Sequence, residues 1–417
     1  MSKITSLVAR EILDSRGVPT ISVVVGLDKG IIAQASSASG LAPTDYELKE
    51  LRDGDRHRYR GQGVLRAVAK INEIIAPALI GLKAENQEQI DNLLVELDGT
   101  SDRSNLGANA TIAVSMAVSR AAAAFLRRSL HVHLSEIFKL GRPTLPVPIF
   151  NLFNGGRHAD TNLDFQEFLM IPKKQSAGEM IRAGAEIFHE LGDVLRESGY
   201  DTDTGTAGGY APDMDSSIEA LEMIMAAALR AGYEPGRDIK LGIDVGSSLL
   251  YDAKSKKYIF PLDQAYFHKA DLIGLYGEWL NKYPIAYIED GLADSEWDAW
   301  RELTAELGDK IVIAGDDLFS TSETRLRQGL AEKAANAIII KPGQAGTVTA
   351  AINCIKLAKR HNYQVILSQR GGETNDDYIT DLAVAGGADY LKAGSLARGE
   401  RLAKYNRLLE ISEEIKE

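Results

Sequence analysis

Cysteine is almost absent from this chain of 417 residues: Cys354 is the only one. A single thiol excludes an internal disulfide and fits a reducing, cytoplasmic compartment. It stands in an apolar helical stretch, where a plain core residue is expected. Basic residues are in deficit, 47 against 59 acidic, for a net charge of −12. That balance argues against a nucleic-acid binder, whose footprint is basic. It leaves room for small anionic substrates, because a site can be locally cationic. No signal peptide is evident, and no apolar run approaches the ~18 residues of a membrane span, so no membrane partner is expected. No GxGxxG turn follows a first strand, which weakens a dinucleotide-binding reading. No low-complexity tract is visible.

What is present is ordinary globular material, 45% hydrophobic and 25% charged. A chain of this length predicts a large barrel or two to three domains. Strands come first, "KITSLVAREIL" (3–13), "PTISVVVGL" (19–27) and "GIIAQAS" (30–36), rich in β-branched residues and separated by "DSRG" and "DKG" turns. Helical stretches follow from Val64 to Leu79, Asn86 to Leu97 and Asn109 to Leu126. Strands followed by helices predict a compact α+β domain over residues 1–140. The Pro-rich "GRPTLPVP" (141–148) reads as a connector. Beyond it, over 141–417, short apolar strands alternate with amphipathic helices, as in "FQEFLMIP" (165–172), "IKLGID" (239–244), "IAYIED" (285–290), "IVIAGDD" (311–317), "AIIIKP" (337–342), "VILSQR" (365–370) and "YLKAG" (390–394). Near-continuous apolar strands predict a parallel sheet covered on both faces. Five strand ends recur at a step of roughly 25 residues, about one strand, one helix and two loops, which favours a closed β/α barrel over an open sheet.

Polar residues end these strands. Asp244 closes "LGID", Glu289 and Asp290 close "YIED", Asp316 and Asp317 close "AGDD", Lys341 closes "IIIK", Arg370 closes "LSQR", and Lys392 lies in "YLKAG". In a β/α barrel the C-terminal strand ends form one mouth, where active sites sit. Three carboxylates converging there repel one another and need a cation. Hard oxygen ligands suit Mg²⁺ better than zinc, which prefers His and Cys. Capping of the following helices would explain any one of these acids, but not three at matching positions with a lysine next in line. Lys341 ends its strand beside that metal, where burial and nearby positive charge lower an amine's pKa toward that of a base. Arg370 and Lys392 read as clamps for a phosphate or carboxylate.

With these residues in place the chain resembles the enolase family along essentially its whole length. The similarity runs in order through "REILDSRGVPT", "ELRDGD", "LDGT", "GANATIAVSMA", "NGGRHADTNLDFQEF", "GGYAP", "YPIAYIEDGL", "GDDLFSTS", "IIIKPGQAGT", "GGETNDD" and "RLAKYNRLL". It implies an N-terminal α+β domain followed by an enolase-type β/α (TIM-like) barrel whose first units are irregular. It also implies Mg²⁺ ligands at Asp244, Glu289 and Asp316, Lys341 as general base, Arg370 toward the phosphate and Lys392 toward the substrate carboxylate. His158 and Glu167 match positions used near the substrate, and a homodimer is expected.

The departures concern one half of the reaction. Enolases carry Gly-Asp-Glu-Gly-Gly-Tyr where this chain has Gly205-Thr206-Ala207-Gly208-Gly209-Tyr210, so the family's general acid is replaced by Ala207. Gln369 stands where enolases have a histidine, Ala42 where a loop serine binds a second Mg²⁺, and Arg157 where "NGGEHA" has its glutamate. Losing a positioned acid costs ~10²–10⁴-fold in rate. Proton abstraction is therefore the better retained half-reaction. The sequence supports an enolase-like, Mg²⁺-dependent carbon–oxygen lyase acting on 2-phosphoglycerate or a close analogue, with Glu167 or water replacing the acid. The alternatives are an enolase-derived enzyme for a phosphonate or phosphinate analogue, with Arg157 on an extra anionic group, and a catalytically impaired binding paralogue.

Overall fold

A computed structural model describes residues 2–41 and 44–415. The chain opens with an antiparallel sheet of β1 (Ile4–Leu13), β2 (Pro19–Leu27) and β3 (Ile32–Ser36), in that order. The β1–β2 turn is closed by Asp14, whose Oδ1 accepts the backbone N–H groups of Arg16 (2.8 Å) and Val18 (3.0 Å). Helices follow at Leu65–Lys70 and Ala76–Leu79, joined by a π-helical turn at Ile71–Ile75, then at Gln87–Asp98, Ala108–Leu126 and Leu130–Phe138. The last of these was not read from the sequence. The Ala-rich helix Ala108–Leu126 is long and apolar enough to cross a bilayer by length and composition alone, but 78% of its most apolar 18-residue window is buried inside the protein, as befits a core helix. Its alanines let it lie close against β2 and β3.

Eight strands then form a closed barrel: β4 (Val147–Asn154), β5 (Glu167–Pro172), β6 (Ile239–Asp244), β10 (Ile285–Glu289), β11 (Val312–Gly315), β12 (Ala337–Ile340), β13 (Gln364–Ser368) and β14 (Tyr390–Lys392). Between β6 and β10 a small antiparallel sheet is inserted, comprising β7 (Tyr251–Asp252), β8 (Lys257–Phe260) and β9 (Ala265–Phe267). Neither β4, which begins inside the stretch read as a connector, nor this insertion was expected. Alternation along each barrel strand divides the core. Ala337 and Ile339 of β12 join Ile149, Leu169, Tyr287, Ala314 and Ile366 in one cluster, while Ile338 and Ile340 pack into the larger core.

The barrel is not wholly parallel, as the apolar strands had suggested. Strand β5 pairs antiparallel with both β4 and β6. An apolar run records burial but not direction. The reversal matters for the site: it brings the start of β5, Glu167, to the mouth formed by the C-terminal ends of the other strands. Glu167 is in register with Asp244, and Asp244 with Glu289.

Candidate active site at the barrel mouth

Adjacent strands place Glu167, Asp244 and Glu289 in a row, each at most 1% exposed. Lys392, at the end of β14, extends its ammonium among them. Its Nζ lies 2.7 Å from Glu167 Oε2, 3.1 Å from Asp244 Oδ2 and 2.6 Å from Glu289 Oε2. The surrounding acceptors are further served by Asn151 Nδ2 donating to Glu167 Oε1 (2.7 Å), His158 Nδ1 at 3.0 Å from the same oxygen, Gln166 Nε2 donating to Asp244 Oδ2 (3.2 Å), and Tyr287 Oη donating to Glu289 Oε2 (2.7 Å). Burial opposes the charge on Glu167, but Lys392 and the His158 hydrogen bond outweigh it and bring its pKa down to about 2. Glu289 moves the other way, raised well above the carboxylate range by burial and by Asp244. Lys392 is held strongly protonated: burial disfavours its charge, but Asp244, Glu167 and Glu289 prevail.

The residues at this mouth fit a divalent cation. Asp244 Oδ1 and Asp316 Oδ1 are buried and accept no hydrogen bond among the described residues. Buried carboxylate oxygens without donors are costly unless a cation meets them. The set is all oxygen, as Mg²⁺ requires. Carboxylate oxygens of Asp290, Asp316 and Asp317 also lie within 4.8 Å of one another. Both oxygens of Asp290 accept backbone N–H groups, from Asp316 and Asp317 at 2.9 Å each, so Asp290 shapes the turn after β11.

Beside these acids opens a small cleft lined by Gly40, Leu41, Arg157, His158, Gln166, Asp316, Lys341 and Arg370, among others. Lys341 forms an ion pair with Asp316. Burial acts to discharge the amine, yet Asp316 overrides it, and the pKa is raised. The expectation of a lysine depressed toward neutrality does not hold for the chain alone: the partner that orients Lys341 also keeps it charged. Arg370 is similarly engaged, its Nη1 2.6 Å from Glu47 Oε2. Arg157 is exposed on the short turn Gly156–His158 and has no ion pair or hydrogen bond among the described residues.

The segment 203–212 frames one side of the mouth without contributing a proton donor. Ala207 is 3% exposed, and its carbonyl accepts from Ser395 N at 2.8 Å. Thr206 N and Oγ1 donate to His158 O at 2.9 and 3.0 Å. Gly208 takes a positive φ of 89°, and a Cβ there would stand 2.9 Å from Ala397 O, so this turn needs glycine. The fully buried Arg401 ties the turn to β13: it donates to Thr206 O (2.8 Å), Gly371 O (3.0 Å), Arg370 O (3.0 Å) and Gln369 Oε1 (2.5 Å).

The structure therefore gathers Glu167, Asp244, Glu289, Lys392 and His158 in one cluster, with Lys341, Asp316, Arg370 and Arg157 at the adjoining cleft. Gln369, which the sequence offered as a substrate contact, is buried and its side-chain oxygen accepts a hydrogen bond from Arg401. Ala42 lies outside the described residues. Sequence reading missed Arg401, Glu47 and Tyr287. Arg401 stands within a quoted motif, but nothing in its neighbourhood signals four acceptors far away in the chain. Two family models match the chain: the enolase N-terminal domain over residues 4–134 and the enolase C-terminal TIM barrel domain over residues 142–417.

Proposed function

The chain belongs to the enolase family, and from that premise we propose that it is a Mg²⁺-dependent carbon–oxygen lyase removing the α-proton of a small phosphorylated or phosphonylated 2-hydroxy acid, 2-phosphoglycerate or a close analogue. The observation that carries this reading is the meeting, at one barrel mouth, of an amine paired with Asp316 and the buried, donor-free carboxylate oxygens of Asp244 and Asp316. Asp244, Glu289 and Asp316 would hold Mg²⁺ at this mouth, and the bound ion would supply positive charge to offset the negative charge that develops as the α-proton is lost.

The chain's own groups then have distinct tasks. Lys341 accepts the α-proton at Nζ. It does so only when its amine is neutral, and its pair with Asp316 is what stands against that state. Lys392 presents fixed positive charge toward the carboxylate side of the substrate. His158, Arg157, Gly40 and Leu41 line the same cleft. Departure of hydroxide is the weak step. Glu167 is a poor substitute for the missing acid, because Lys392 and His158 hold it ionised at all but very low pH. Unpaired Arg157 gives specific support to the second reading, an analogue carrying an additional anionic group.

The test is exchange of the substrate α-proton in D₂O, followed by NMR alongside dehydration, with 2-phosphoglycerate and a phosphonate analogue. Exchange is expected to require Mg²⁺ and to outpace dehydration. Lys341→Met is expected to lower it by ~10²–10⁴-fold. Absence of both exchange and dehydration with every such acid, in protein that still binds Mg²⁺, would leave the binding paralogue and end the lyase reading.

A further inference from the structure

Lys404 is a buried cation that the chemistry at the mouth does not use. It is 0% exposed, and among the described residues it does not line the cleft. All three donors of its ammonium are engaged: Nζ lies 2.6 Å from Thr374 O, 2.7 Å from Glu400 O and 2.8 Å from Glu373 Oε2. A fully buried ammonium is costly unless it meets a partner that needs it. That partner, Glu373, is 3% exposed and gives its other oxygen to the backbone: Arg370 N donates to Oε1 at 2.9 Å.

Arg370 itself stands at the cleft. Its Nη1 lies 2.6 Å from Glu47 Oε2, and Gly40 is packed so closely on Nη2 that a Cβ there would collide with it. Glu47 and Gly40 line the cleft together with Arg370. Where the guanidinium sits depends on the peptide units that carry it, and these are held from two sides. Arg401 donates to Arg370 O and to Gly371 O at 3.0 Å each. Lys404 follows Arg401 by three residues on helix Gly399–Glu414, so both fall on one buried face of that helix. From the N-terminal domain, Ser39 and Gly372 exchange backbone hydrogen bonds (2.7 and 2.9 Å), and Ser15 N donates to Glu373 O (2.7 Å). Arg370 N is held by a carboxylate, a stronger acceptor than a carbonyl. Without Lys404 that carboxylate would be buried and uncompensated.

We propose that Lys404 is a positioning residue for Arg370: by holding the Glu373 carboxylate against Arg370 N, it fixes where the guanidinium meets the anionic group of the substrate. This role rests on reading Arg370 as the contact for the substrate's phosphorus oxyanion, and it is independent of proton abstraction. Affinity for that group then depends on a buried ion pair that does not touch it.

Binding of inorganic phosphate to the full chain in excess Mg²⁺, measured by calorimetry, reads this apart from catalysis. Lys404→Met leaves Glu373 without its cation and is expected to weaken phosphate binding about tenfold. Two double variants separate positioning from general stability. Lys404→Met with Glu373→Gln removes both charges but keeps a side-chain oxygen for Arg370 N, and is expected to bind within about threefold of the parent. Lys404→Met with Glu373→Met removes the charges and that oxygen, and is expected to stay about tenfold weaker than the parent. The two doubles decide the matter even if Lys404→Met alone does not fold. Equal phosphate affinity in the two doubles, unchanged binding in Lys404→Met, or no phosphate binding by the parent would each overturn the proposal. The expected order of phosphate affinities in a protein that exchanges no α-proton would refute the lyase reading and leave the positioning role standing.

Discussion

Lys392 shows how much one side chain carries at this mouth. It is the only described ammonium within salt-bridge distance of Glu167, Asp244 and Glu289, all buried. Glu167 illustrates the sign. Its pKa is lowered from 4.5 to about 2, so its contribution to stability is present above the unfolded value and is lost as pH falls from 4.5 toward 2. Removing the ammonium takes away the one cation shared by three buried carboxyl groups, a change typically worth about 3–5 kcal/mol. Lys392→Met is accordingly expected to lower the unfolding free energy by about that amount at pH 7. The deficit should shrink on acidification, as carboxylates protonate, and added Mg²⁺ should restore part of it. Urea titrations at several pH values measure this, and a pH-independent deficit would contradict it.

At the scale of elements, orientation and burial decide what a residue does. Reversal of β5 makes Glu167 part of the mouth, and the Gly-rich turn after helix Ala177–Glu197 keeps its shape through Arg401 although its acid is gone. Helix Leu130–Phe138 offers a different consequence. His133 is 1% exposed, and neither ring nitrogen has a hydrogen-bond partner among the described residues. Burial, with Arg128 nearby, lowers its pKa from 6.5 to about 4. The unfolded chain then binds a proton near pH 6.5 that the folded one refuses until about pH 4. Stability is full above 6.5 and falls as the pH drops through that window, by at most about 3 kcal/mol for a shift of this size. His133→Leu is expected to flatten this part of the stability–pH curve. Thermal melts between pH 7 and pH 4 that keep the parent's slope would show that His133 is not its source.

For the whole molecule, the N-terminal domain and the barrel are joined by partly buried polar contacts. Asp91, on helix Gln87–Asp98, accepts from Thr349 N (2.9 Å) and Thr349 Oγ1 (2.6 Å) in the first turn of helix Val348–Arg360. Arg120 reaches from the Ala-rich helix to Asp376 and Asp377. Asp91→Ala leaves two donors of Thr349 without partners, a cost of about 2–4 kcal/mol. All three tryptophans, Trp279, Trp297 and Trp300, lie in the barrel. In urea, the fluorescence and far-UV circular dichroism transitions of Asp91→Ala are expected to separate, with the fluorescence midpoint the higher; coincident transitions would show that this contact does not hold the domains together.

The amino-acid sequence by itself determined the α+β start, the barrel, and the acids and bases that close its strands, because burial periodicity and strand-end position are local patterns. The direction of β5 was not legible, since an apolar run is the same read either way. Nor was the pairing of Arg370 with Glu47, which joins residues 323 positions apart, or the placement of Lys392 among three acids from three strands. Those were decided only by tertiary structure, because charge compensation in a buried site depends on strand direction, register and the packing of one domain's loop on the other's mouth.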